Sequence, residues 1–171
     1  MPTRIIQVDF LTSSYRVVGK INTTAGGVLG VLGDHTTSLM EVKDASMARI
    51  HMATKLVEQV QLVKVVKSQV LAVCLTKRED VGPLASPRTG YARLYEYPIR
   101  ITTPIYELEG TLEYGGRFDL SIILTEGTCD FIPLFDASLG AILFPSLLIQ
   151  SPAILFNRTY LNTLVLMSEG I

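Results

Sequence analysis

The segment Thr12-Ser-Ser-Tyr15-Arg-Val17-Val-Gly19-Lys-Ile21 returns without a gap, 91 residues downstream, as Thr103-Pro-Ile-Tyr106-Glu-Leu108-Glu-Gly110-Thr-Leu112. After the tyrosine both copies place an apolar residue or glycine at every second position, the period of a strand with one buried face. Both also put a glycine at the same step, which predicts a bend or bulge where the strand curls or another backbone comes close. Two more blocks follow in the same order. Met40-Glu-Val-Lys-Asp44-Ala45-Ser46, preceded by Gly26-Gly27, answers Pro133-Leu-Phe-Asp136-Ala137-Ser138, preceded by Gly115-Gly116, after a small length adjustment. Val65 to Leu75 matches Phe156 to Leu166, again at an offset of 91. Three ordered matches imply a duplication into two domains of roughly 75 residues. Their expected bounds are residues 1–76 and 97–171. The linker between them, 77–96, carries Lys77-Arg78-Glu79-Asp80, Gly82-Pro83 and Ser86-Pro87-Arg88-Thr89-Gly90, a run of coil and turn formers.

Ile6, Val8 and Phe10 alternate with Gln7 and Asp9, and Ile99 and Ile101 begin the same pattern in the second copy. The apolar segments Cys129–Phe135, Gly140–Phe144, Ala153–Phe156 and Tyr160–Met167 read as further strands. Arg117 to Leu124 reads as a short helical turn, with Gly27 to Gly33 as its weaker counterpart. Residues 47–62 have helical propensity. Their counterpart, 139–154, contains Pro145 and Pro152 and cannot be one helix. The duplication therefore overrides propensity and predicts strand and turn in both copies. Several short, bent strands per copy give an all-β class with minor helical turns: two tandem, small, closed or nearly closed β-barrels of Sm-like or SH3-like type.

Composition limits the function. The chain has 171 residues, 48% of them hydrophobic and 18% charged, with a mean hydropathy of +0.36 and a net charge of −1. Such a chain folds and buries a core. Its near-neutrality argues against a polyanion as main partner, because nucleic-acid binding depends on clustered Lys and Arg. Cys74 and Cys129 have no C-x-x-C spacing, and His35 and His51 have no Cys or His at ligand spacing, so no metal and no cofactor is expected. The N-terminus lacks the long apolar core of a secretory signal, so the chain is read as cytoplasmic. Residues 137–157 carry no charge over the length of a bilayer span. Their apolar residues come in blocks broken by Gly140, Pro145, Pro152 and three serines, which points to buried strands and argues against a membrane.

The two copies resemble an uncharacterised bacterial family of small β-domains. The shared pattern is Thr-x-x-Tyr-x-Val/Leu-x-Gly-x-Ile/Leu, a Gly-rich turn, a strand ending in Asp-Ala, and an apolar strand carrying Lys67 or Arg158 before the last strand. More distantly, this order is similar to an Sm-like barrel. That resemblance implies a fold and does not carry over RNA binding. The glycine of the Sm-type Arg-Gly pair is replaced by Ser68 or Thr159, and Asp44 and Asp136 are followed by Ala-Ser with no Asn at the expected place. Tyr15 and Tyr106, at one repeated position beside alternating apolar residues, read as core or interface residues before base-stacking ones. PilZ-like cyclic-dinucleotide motifs are approached by Arg88 to Arg93 and Asp136 to Gly140, each off by one residue in spacing. Gly-x-Ser-x-Gly, P-loop, dinucleotide and His-Glu-x-x-His motifs are absent, and Glu107, Glu109 and Glu113 read as a solvated acidic rim, so no catalytic residue is assigned.

Charge divides between the copies. Residues 1–80 carry 10 Lys and Arg against 7 Asp and Glu, a net +3; residues 81–98 add +1; residues 99–171 carry 3 against 8, a net −5. This suits attraction between unlike halves, within or between chains, and also suits simple divergence of a duplicated domain. The uncharged block Leu143, Phe144, Leu147, Leu148 and Ile149 has a first-copy counterpart bearing Arg49, His51, Lys55 and Glu58. It is the candidate partner interface. The expected function is association, as a homo-oligomer or as a structural or regulatory subunit of a larger cytoplasmic assembly whose partner is protein. The alternative is a nucleic-acid- or nucleotide-binding module using the basic first copy, with Lys55, Lys64 and Lys67 as anion contacts.

Overall fold

The computed structural model describes residues 2–52, 55, 58–83, 94–115 and 117–167. Half of the linker, including Arg88 and Arg93, lies outside them, as does Gly116. Ten strands run in chain order: β1 (Arg4–Thr12), β2 (Tyr15–Thr23), β3 (Leu39–Arg49), β4 (Glu58–Val66), β5 (Val70–Leu75), β6 (Tyr95–Thr102), β7 (Tyr106–Tyr114), β8 (Phe131–Ala141), β9 (Leu148–Asn157) and β10 (Thr163–Leu166). Two short helices, α1 (Gly27–Leu32) and α2 (Leu120–Thr125), connect β2 to β3 and β7 to β8. The all-β class holds.

All ten strands form one antiparallel sheet in the order β10-β6-β7-β8-β9-β5-β1-β2-β3-β4. Its first five places repeat the order of its last five with each strand replaced by its duplicate. The sheet is open, ending on β10 and β4, whereas the sequence reading expects closed or nearly closed barrels. The halves meet where β9 pairs with β5, in the register Ala72↔Phe156, Val73↔Leu155, Cys74↔Ile154 and Leu75↔Ala153.

Every residue of β5 is buried. Val70, Val73 and Leu75 point into one apolar cluster with Phe10, Val17 and Val42, and Leu71, Ala72 and Cys74 into a second with Ile101, Tyr106 and Leu108. On β9, Ala153 and Leu155 join the first cluster while Ile154 and Phe156 join the second. A strand covered on both faces needs apolar residues at consecutive positions, which is what both segments have. Part of the apolar excess of the second half, Ala153 to Phe156, is used in this seam.

The repeated glycines sit opposite a bulge. The register of β2 on β3 shifts between Val18 and Lys20, leaving Asp44 and Ala45 opposite Gly19; β7 and β8 repeat this with Asp136 and Ala137 opposite Gly110. Asp44 and Asp136 take left-handed conformations, with φ of 48° and 47°. Asp tolerates that region better than most residues. A Cβ on Gly19 would lie 2.5 Å from Val42 Cγ1 and 2.9 Å from the Lys43 carbonyl oxygen. The glycine thus marks a close backbone approach on the strand facing the bulge.

Three local readings change. Gly140–Phe144 is not a separate strand, because β8 runs through Ala141 and then turns, the Phe144 N–H donating to the Ala141 carbonyl. The block from Leu148 to Phe156 is one strand despite Pro152. The proline sits opposite the bulged Asp136, where the otherwise continuous β8–β9 register has no pair, so its missing N–H interrupts no rung of the ladder. Arg78–Val81, expected within a linker of turn and coil formers, forms a 3₁₀ turn packed into the fold, with Val81 and Asp80 buried.

The bulge geometry predicts that Gly19→Ala lowers stability by about 1–3 kcal/mol through overpacking. Gly30→Ala, in exposed helix with nothing within 4 Å of the new Cβ, raises it by about 0.5–1 kcal/mol. Urea midpoints at constant m-value check both signs.

Candidate functional site

Two strands at opposite ends of the sheet each have one free edge. β4 pairs only with β3, and β10 only with β6, among the described residues. An unpaired edge presents a row of N–H and C=O groups that can template another strand. Side-chain exposure makes these edges unusual: Leu62 on β4 is 47% exposed, and Val165 and Leu166 on β10 are 46% and 48% exposed. Charges that commonly blunt an edge are sparse. β4 has Glu58 and Lys64, and β10, Thr-Leu-Val-Leu, has none.

Which groups are free follows from the pairing. In an antiparallel ladder, residues alternate between bonding the neighbour and turning their N–H and C=O away. The Lys67 N–H donates to the Ser38 carbonyl at 3.0 Å, in line with the register Met40↔Val65 and Val42↔Val63. Leu62 and Lys64 therefore face their backbone groups outward. At the other end the Met167 N–H donates to the Pro98 carbonyl at 2.8 Å, in line with Val165↔Arg100 and Thr163↔Thr102. Leu164 and Leu166 are then the outward-facing residues.

The intrachain seam is an occupied example of such an edge. Besides the β5–β9 ladder it has four side-chain ties from the second half to backbone carbonyls of the first. The Tyr106 hydroxyl donates to Thr12 (2.6 Å), the Tyr160 hydroxyl to Ser68 (2.7 Å), Asn157 Nδ2 to Val70 (2.9 Å), and the Ser151 hydroxyl to Leu75. Arg78 stacks 3.8 Å above the Phe135 ring and pairs with Glu113. Beside Tyr106, Asp9 pairs with Arg16 at 2.7 Å. Burial pushes the Asp9 carboxyl above its ordinary range more than the guanidinium pulls it down, and burial likewise raises the Tyr106 phenol.

The expected interface residues divide. Leu147 is buried in the second cluster with Ile50 of the first half; Phe144 and Ile149 are half-buried against it, the Phe144 ring 6.3 Å from that of His51. Only Leu143, 76% exposed, and Leu148, 64% exposed, face solvent, beside Ile142 at the β8–β9 turn. The block is covered in part by the chain's own first half.

The three expected anion contacts are not brought together as a site. Lys55 and Lys64 are exposed. Lys67 is buried, its ammonium donating to the Asp34 carbonyl and the Thr37 hydroxyl, both at 2.9 Å. Its counterpart Arg158 donates to the carbonyls of Ile123 (3.0 Å), Glu126 and Gly127 (3.1 Å). Each cation ties down the loop that follows the helix of its own half.

Depressions occur at both bulges, the second-half one mixed in lining, with Pro98, Ile99 and Met167 beside its polar groups, and the first-half one mainly polar. One, of about 810 Å³, is lined by Glu109, Asp136, Ser138 and Gln150; the other, of about 460 Å³, by Asp44, Ser46 and Gln59. Both are open and shallow, and in the larger Glu109 accepts from Arg100 at 2.8 Å. Among the described residues no group of three or more His, Cys, Asp or Glu is placed to hold a metal, and no helix is long and apolar enough to cross a membrane. Cys74 and Cys129 are unbridged. The open edges were not singled out from sequence, although the offset of 91 already maps the fully buried β5 onto β10.

No family model matches the chain, and no curated protein or solved structure matches it.

The placement of the two cations predicts that Lys67→Ala and Arg158→Ala each lower stability by about 1.5–3 kcal/mol, the range for hydrogen bonds to charged groups. Lys64→Ala, exposed, stays within about 0.5 kcal/mol. Denaturant midpoints for the three variants test the ranking.

Proposed function

We propose that this chain is non-catalytic and works by association through the edges of its sheet, as a homo-oligomer or as a structural subunit of a larger assembly. The observation that carries this reading is the pair of open strands, β4 and β10, whose outward backbone groups are flanked by the exposed Leu62, Val165 and Leu166. Strand addition at such an edge draws its affinity from main-chain hydrogen bonds and its selectivity from alternate side chains. In this reading each five-stranded half is a strongly curled, barrel-like unit, supported by the repeated strand order and the bulges facing Gly19 and Gly110. The partner is a protein. The burial of Lys67 inside its own half weighs against the nucleic-acid alternative.

Light scattering across a concentration series checks the reading. The unmodified chain is expected above its 18.8 kDa monomer mass. Leu166→Pro removes one outward N–H and leaves the bonds to β6 in place, and it weakens association at least about tenfold, or about 1.4 kcal/mol, with an unchanged circular dichroism spectrum. A strict monomer that also takes up no partner, in either form, overturns the reading.

A further inference from the structure

We infer that the partner at these edges is a second copy of the same chain, with β4 of one copy adding to β10 of the next in the register that β9 and β5 already use inside the chain. This rests on the association reading above and goes further by fixing partner and geometry.

The duplication supplies the geometry. Subtracting 91 from the seam residues of β9 gives β4, and adding 91 to those of β5 gives β10. The intrachain pairs Phe156↔Ala72, Leu155↔Val73, Ile154↔Cys74 and Ala153↔Leu75 become Val65↔Thr163, Lys64↔Leu164, Val63↔Val165 and Leu62↔Leu166 between chains. The hydrogen-bonding parity, which the repeat alignment does not guarantee, agrees. Leu62 and Lys64 turn their backbone groups out from β4, Leu164 and Leu166 turn theirs out from β10, and these are the residues that the register sets opposite each other. The exposed side chains agree as well. Leu62 meets Leu166 on one face and Val63 meets Val165 on the other, burying three of the exposed apolar residues at the two edges.

Charge and surroundings point the same way. The half carrying β4 has a net charge of +3 over residues 1–80, and the half carrying β10 has −5 over residues 99–171. Contact between β4 and β10 sets one against the other. Tyr15, the counterpart of Tyr106, would approach the Thr103 backbone as Tyr106 approaches Thr12. The Asp9–Arg16 pair that Tyr106 covers has a charge-reversed counterpart in Arg100–Glu107, 3.9 Å apart and exposed in the single chain. Val66, Val60 and Gln69 stand where the internal seam has Asn157, Ser151 and Tyr160, so of its four side-chain ties only the one from the repeated tyrosine keeps its residue between chains. The contact is accordingly weaker than the internal one and depends on concentration. It is heterologous and propagates head to tail into a ring or a filament.

Two variants test this, each with one introduced cysteine and each also carrying Cys129→Ser, while the native Cys74 stays buried. Val63↔Val165 is a non-hydrogen-bonded pair in the inferred ladder, the closer type, within reach of a disulfide. Mixed and mildly oxidised, Val63→Cys and Val165→Cys are expected to give a reducible band at twice the chain mass that neither gives alone. Val66→Cys mixed with Val165→Cys, three positions out of register, gives none. Association of the unmodified chain without the Val63–Val165 band overturns the head-to-tail seam and leaves edge association standing, with the copies meeting in another register. A monomer at every concentration, with no band, overturns the second copy as occupant, and it overturns the association reading as well when the chain also takes up no other protein.

Discussion

The pairing of β5 with β9 is the constraint from which the rest of the molecule follows. Each strand has one neighbour in its own half and one in the other, and each sends side chains into both apolar clusters. Neither cluster is complete within one half. Phe131, Phe135, Ala153 and Leu155 finish the first, and Leu11, Ile50, Leu71, Ala72 and Cys74 finish the second. Apolar burial on this scale, about 1.5–3 kcal/mol for each fully buried Val, Leu or Phe, is shared across the two halves. The carbonyls at the margin of the seam are met by Tyr106, Tyr160, Asn157 and Ser151, which limits the cost of burying backbone there.

The duplication, the strand class, the small helices after β2 and β7, and the close backbone approach at Gly19 and Gly110 were legible in the residue pattern. Each is local, or is repeated and therefore read twice. Residues 47–62 are the instructive case: propensity favours a helix, and the two prolines of the second copy exclude one; the described residues there form the end of β3, a 3₁₀ turn and the start of β4. What stayed hidden depends on contacts distant in sequence. Val70 to Leu75 is apolar throughout, which says that it is covered on both faces and not by what. Leu143 to Ile149 reads as one apolar patch, yet a tight turn divides it between core and solvent. Lys67 and Arg158 are cations in basic or exposed-looking contexts until the fold brings the loop carbonyls to them.

The two halves share a topology and have diverged in surface chemistry. An acid–base pair occurs at the same two positions with its polarity reversed, Asp9 with Arg16 in one half and Arg100 with Glu107 in the other. The tyrosine at the repeated position is buried in the second half and half-exposed in the first. The asymmetry tracks the seam, since the copy that covers its neighbour inside the chain holds the polar ties and the other does not.

The distance in sequence between β5 and β9 also sets a timetable for synthesis. Once Leu75 has left the ribosome, the first half has all five of its strands, with both β4 and β5 open at its ends. Ala153 to Phe156 follow about 80 residues later, which at about 5–20 residues per second is roughly 4–16 s. Throughout that interval the most apolar strand of the half has a bare edge. A neighbouring nascent chain on the same message offers equivalent edges, so correct closure of the seam is a race between the chain's own second half and the first half of another molecule.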